Sequence, residues 1–107
     1  MGYPPQMELT PHAAGNRRAW GRHAARYVEA GQRNWESNAP SWGIWSIPDA
    51  QLPMLGDPQR LAGLDVIELG CGTAYVSSWL ARRGANPTGI DITPEQLATA
   101  RHLQEAH

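Results

Sequence analysis

Asp65-Val66-Ile67-Glu68-Leu69-Gly70-Cys71-Gly72-Thr73 is the stretch that decides the fold. Its first five residues form a short aliphatic and β-branched run, the pattern of a strand in a parallel sheet covered on both faces. Gly70-Cys71-Gly72 breaks the run. From Thr73 to Arg83 the apolar residues Val76, Trp79 and Leu80 recur at helical spacing, and Gly84 supplies a stop. A second strand is predicted over 88–92. Thr93-Pro94-Glu95-Gln96 then carries the marks of a helix start. Thr93 caps, Pro94 takes the first turn where no amide partner is lost, and Gln96 completes a capping box. Leu97, Ala100 and Leu103 continue that helix towards His107. Strand, turn, helix, strand, turn, helix is the order of a βαβ unit, which calls for parallel strands joined by a right-handed crossover. The fold class is α/β, the first βαβα portion of a Rossmann-like, doubly wound parallel sheet.

Upstream of Leu61 the composition changes character. Residues 1–60 hold seven of the nine prolines and four of the five tryptophans. Pro40, Pro48, Pro53 and Pro58 forbid long helices between Asn38 and Pro58. One helix is predicted before that loop, capped by Asn16 and ended by Gly31, with Trp20, Ala24, Tyr27 and Val28 on one face. Arg17, Arg18, Arg22 and Arg26 fall on the other, which reads as an ordinary solvated surface. The chain thus divides into an N-terminal helix with a Pro/Trp-rich linking loop over 1–60 and the βαβα portion over 61–107.

At 107 residues there is room for one modest domain. With 41% hydrophobic residues, 18% charged residues and a net charge of -1, the chain reads as globular, and no polyanion partner is implied. All nine basic residues are arginine. The lack of lysine excludes a phosphate-binding P-loop, a Schiff-base enzyme and a kinase-type site. One cysteine, Cys71, excludes an intramolecular disulfide framework and a multi-cysteine zinc site. His12, His23, His102 and His107 lack metal-ligand spacing. The stretch from Met1 to Thr10 has no apolar run of signal-peptide length, and no segment has that of a membrane span. A cytoplasmic chain with no metal and with neither a nucleic-acid nor a membrane partner is the expectation.

The glycine turn between a parallel strand and a helix is where doubly wound sheets bind nucleotide-like ligands. Glycine permits positive φ and close approach, and the helix beyond offers free amides. Glu68 stands two residues before the first glycine, where it would repel a pyrophosphate and welcome a cation. Asp91, at the end of the second strand, is placed to accept ribose hydroxyls. Glycines and two carboxylates together specify an adenosine ligand without phosphates. A dinucleotide fingerprint would need glycine at position 75, where Tyr75 stands.

Val66-Ile67-Glu68-Leu69-Gly70-Cys71-Gly72-Thr73 resembles motif I of the class I S-adenosylmethionine-dependent methyltransferases, and Gly89-Ile90-Asp91-Ile92-Thr93 resembles their second acidic motif. Pro94-Glu95-Gln96-Leu97, with Ala100 and Arg101, is similar to the helix that follows. The resemblance implies a seven-stranded sheet and S-adenosylmethionine as cofactor. It implies that Gly70, Cys71 and Gly72 pack against the methionine and ribose, that Asp91 grips the ribose hydroxyls, that Ile92 lies on adenine, and that Glu68 acts at the methionine end. The third glycine, often two positions after Gly72, is Ala74 here. More loosely, Asn16 to Tyr27 resembles a helix that lies over the cofactor in small-molecule methyltransferases, which would bring Tyr27 and Trp20 to the ligand. Trp42-Gly43 would approach from the linking loop.

Without a ligand, Gly70 and Gly72 would be a plain tight turn and Trp20 and Tyr27 plain packing. Cys71 has no histidine partner and is expected to serve through its backbone. The function expected from the resemblance is methyl transfer to a small-molecule acceptor, with this chain an N-terminal fragment or the product of a truncated gene that carries the cofactor site. Its catalytic residues stay unassigned and are expected beyond His107. The alternative is a non-catalytic module that binds S-adenosylmethionine or another adenosine ligand, or an inactive truncated protein. Two strands with open edges also predict marginal stability.

Overall fold

The computed structural model describes residues 8–107, so the reading of the first seven residues lies outside it. Three helical pieces come first: α1 (Pro11–His23), a 3-10 turn (Ala24–Tyr27) and α2 (Val28–Glu36). The predicted boundaries of this segment do not hold. Thr10, not Asn16, caps α1, its hydroxyl accepting from the Ala13 amide at 3.2 Å with Pro11 in the first turn. Gly31 does not end the helix but lies buried inside α2, because there the backbone must pass close to Thr73. Of the predicted apolar face only Ala24 is buried.

The linking loop holds β1 (Ser41–Trp42) paired antiparallel with β2 (Ile47–Pro48), then the single turn α3 (Pro58–Leu61). The remainder follows the expected order: β3 (Asp65–Leu69), α4 (Tyr75–Arg82), β4 (Asn86–Ile90) and α5 (Pro94–Ala106). β3 and β4 pair in parallel, with Asp65 opposite Asn86 and Leu69 opposite Ile90. β4 therefore lies two residues earlier than the predicted 88–92. Gly84, at φ 88°, ends the helical turn and Asn86 already donates to Leu64 O at 2.7 Å, whereas the Asp91 side chain closes the strand by turning back on Thr93. Pro87 is tolerated on this edge strand.

The interior gathers on one side of the sheet. Trp79 and Leu80 of α4, Ala100 and Leu103 of α5, Trp35 of α2 and Ala85 are buried. α2 packs on both α4 and α5, and α1 on α5. The strands alternate: Val66 and Glu68 turn towards α4, while Ile67 and Leu69 on the reverse face stay 67% and 76% exposed. Coverage of both faces, expected from the run's apolar character, is thus absent among the described residues. No helix among them is long and apolar enough to cross a membrane.

Candidate functional site

Left-handed backbone builds the bend after β3. Gly70 and Gly72 have φ of 66° and 55°, and a Cβ at either would meet no atom within 4 Å. Conformation, not crowding, requires glycine there, and the space beyond stays open. Ala74 keeps φ at 65°, the conformation that a glycine would take freely, at a cost of roughly 1–2 kcal/mol. The Cys71 amide donates to Ile90 O at 2.9 Å, carrying the parallel ladder into the turn.

Asp91 closes the site from the other strand. Its Oδ2 accepts from the Gly72 amide at 2.8 Å, nineteen residues away in sequence, and its Oδ1 accepts from the Thr93 amide at 2.8 Å. One carboxylate thus fixes both turns, and each oxygen keeps a further lone pair. Beside it opens a cavity of about 590 Å³ lined by Gly70, Gly72, Asp91, Ile90, Ile92, Thr93, Trp20 and Gln96.

Glu68 sits behind the bend. Its Oε1 accepts from the Ser77 amide at 3.0 Å and the Ser77 hydroxyl at 2.7 Å. Ser77 is the third residue of α4, and Ala74 provides no side-chain cap, so Glu68 satisfies an amide that the helix start leaves orphaned. Its carboxylate remains next to the turn without lining the cavity.

Cys71 is buried, and its thiol is pushed up to about 11, first by burial and then by the charges of Glu68 and Asp91. It faces a second groove of about 690 Å³ between α4 and α5. A Cβ on Gly89 would stand 2.8 Å from Cys71 Sγ, so strand and turn approach closely there.

The N-terminal helices hold the bend from outside. Trp35 Nε1 donates to Thr73 O at 2.7 Å, and Trp79 Nε1 donates to Asn34 O at 3.0 Å. Arg82 donates to Ser37 O at 2.8 Å and to Trp35 O. Trp20 reaches the cavity, whereas Tyr27 lies outside its lining, with its ring 6.1 Å from Trp20. Trp42 stays away from the cavity, because its indole donates to Asp49 Oδ1 at 3.0 Å and packs edge-on against Trp79.

Of the residues singled out in the sequence, Gly70, Gly72, Asp91 and Ile92 meet at one cavity, while Glu68, Cys71 and Tyr27 lie around it. The capping box does not form. Thr93 has no side-chain cap bond, and its amide, which Gln96 would have taken, belongs to Asp91. Gln96 instead lines the cavity, a place that its reading as a capping residue concealed. Trp35 was also missed, although its position four residues after Gly31 puts both on one helix face.

Residues 66–107 match a family model described as a methyltransferase domain. The chain is similar to proteins named ubiquinone biosynthesis O-methyltransferase. It is 33% identical to that of Dechloromonas aromatica over 81 residues, which is 75% of this chain and 35% of the relative. It is 33% identical to that of Nitrosospira multiformis over 82 residues (76% and 34%), and 30% identical to that of Xanthomonas euvesicatoria over 76 residues (71% and 32%). The chain therefore spans about a third of the length of these curated relatives. No solved structure matches.

Proposed function

Because residues 66–107 belong to the class I S-adenosylmethionine-dependent methyltransferases, we propose that the cavity at the glycine bend holds S-adenosylmethionine. The chain would then supply the cofactor-binding portion of an enzyme that methylates an oxygen of a small-molecule acceptor, as the names of its relatives suggest. The observation that carries this reading is the carboxylate of Asp91, anchored by the Gly72 and Thr93 amides in the lining of an open cavity. The bound cofactor supplies an electrophilic methyl group on a sulfonium. Asp91 directs its remaining lone pairs at the two ribose hydroxyls, a charge-assisted pairing. Gly70, Cys71 and Gly72 offer bare backbone to the tail, and Glu68 beside Asp91 gives the bend a negative field that suits a cation. Ile92 packs on adenine. Trp20 covers the site, with Tyr27 supporting the indole from behind. Residues 1–60 act in this reading as lid and linker.

Titration calorimetry with adenosylhomocysteine tests the site. The wild-type chain binds, and Asp91→Ala weakens binding by about a hundredfold or more, the loss of two hydrogen bonds to a charged acceptor. No heat from the wild type overturns the reading. Binding without methyl transfer to any hydroxylated aromatic acceptor would instead place the chain with non-catalytic adenosine-binding modules.

A further inference from the structure

The hairpin of β1 and β2 departs from the usual chemistry of a turn. Tight turns favour glycine, asparagine, aspartate or serine at their centre, where side chains meet water. Here Gly43 and Ser46 bracket the bend with φ of 69° and 51°, and the Ser46 amide donates to Gly43 O at 3.2 Å. The two central residues are Ile44 and Trp45, whose side chains are 88% and 80% exposed, the most of any large apolar residue described. They stand clear of the fold, for a Cβ on Gly43 would meet no atom within 4 Å. The base beneath them is fixed. Asp49 Oδ1 accepts from the Trp42 indole and from the Met54 amide, both at 3.0 Å, and its Oδ2 lies 3.7 Å from Arg83. Between Glu36 and Asp57 the chain carries a single charge, that of Asp49, and it is engaged at this base. Exposed Ile47, Leu52 and Met54 belong to the same stretch. A local rule broken without a gain in packing marks a functional position.

We propose that the Gly43–Ser46 tip is a surface anchor that dips into the interfacial layer of a zwitterionic lipid bilayer. Size selects a bilayer over a protein partner. One tryptophan and one isoleucine offer roughly 400 Å² at most, whereas a stable protein interface takes roughly 800 Å² from each side. A bilayer demands neither that area nor a matching shape, and a single acyl chain already gives reversible binding. Chemistry selects it too. The indole settles where headgroups meet acyl chains, its ring apolar and its N–H hydrogen-bonded, while isoleucine reaches the hydrocarbon. A tip without charge needs no anionic lipid. The sequence expectation of no membrane partner follows from span length, which an anchor of this kind does not require. Neither Ile44 nor Trp45 lines the cavity, so anchoring stands apart from the cofactor site.

Co-sedimentation of the chain with phosphatidylcholine vesicles tests the anchor. The wild type partitions onto the vesicles, and Ile44→Ser with Trp45→Ser lowers the partition coefficient by about tenfold or more. Raising the salt changes it by less than about twofold, because no charge attracts the tip. Ile67→Thr with Leu69→Thr, on the reverse face of the sheet, leaves it within about twofold, which separates the tip from exposed apolar surface in general. Acyl chains brominated near the headgroup quench the wild-type tryptophan fluorescence, and Trp45→Leu removes most of that quenching. Absence of wild-type partitioning overturns the anchor, as does partitioning that survives in the serine pair or falls equally in the sheet variant. Should the serine pair instead reduce self-association while vesicle binding stays, the tip is a contact between copies and the anchor falls. If the serine pair loses its native circular dichroism, the quenching decides alone, and its persistence in Trp45→Leu overturns the anchor.

Discussion

Cys71 is the residue at which burial and charge act in the same direction. Its thiol titrates near 11 instead of 9.0 because the interior, then Glu68 and Asp91, disfavour a thiolate. Since the folded chain holds the proton more tightly than the unfolded one, stability is complete below pH 9 and falls as the pH rises from about 9 towards 11. Urea midpoints measured from pH 8 to 10.5 record that decline in the wild type and a smaller one in Cys71→Ala. At pH 8.5 iodoacetamide labels native Cys71 at least tenfold more slowly than the chain in urea, since both shielding and the raised titration point remove thiolate. Equal rates would contradict the burial. Gly70, Gly72 and Asp91 were legible in the sequence because each does something that few other residues can do: left-handed backbone in two cases, and in the third an acid at a strand end. Glu68 was legible as an acid beside the turn but not as a cap for α4, because its partner Ser77 is a common residue nine positions on that nothing in the sequence marks.

Among the elements, α2 depends most on close approach. A Cβ at Gly31 would stand 2.7 Å from Thr73 Oγ1, on a short side chain that cannot swing away. Gly31→Ala is expected to cost about 1–2 kcal/mol, overpacking outweighing the helical preference for alanine. Gly21→Ala tests the opposite balance. Its Cβ would meet Glu95 carboxylate oxygens at 3.1 Å, on a flexible exposed side chain that moves aside, so the chain gains about 0.5–1 kcal/mol. Urea denaturation of both variants checks the signs. The same contrast explains why the sequence misplaced this segment. A glycine near the end of an amphipathic run reads as a stop, and only the presence of Thr73 forty-two positions later turns it into a contact. β4 was displaced for a related reason. Its start follows from pairing with β3, which propensity does not register, and Pro87 argued against the residues that in fact begin it.

At the scale of the whole molecule, one layer of helices covers one face of a two-stranded parallel sheet, and the reverse face presents Ile67, Leu69 and Ile90 to solvent. Apolar side chains so exposed contribute little to stability and much to self-association. Ile67→Thr with Leu69→Thr is expected to change stability by less than about 0.5 kcal/mol per site, while analytical ultracentrifugation shows less concentration-dependent association than in the wild type. Threonine keeps the β-branched character that suits a strand. A loss of several kcal/mol would mean that this face is covered after all. The Asp91 buckle also sets a timetable for the nascent chain. The N-terminal helices leave the ribosome before Thr73 does, but the amide of Gly72 has no acid to meet until residue 91 emerges. The pocket therefore takes shape only after residue 91 has emerged, and a messenger cut short before that codon would yield helices and a first strand with nothing to clasp a nucleoside.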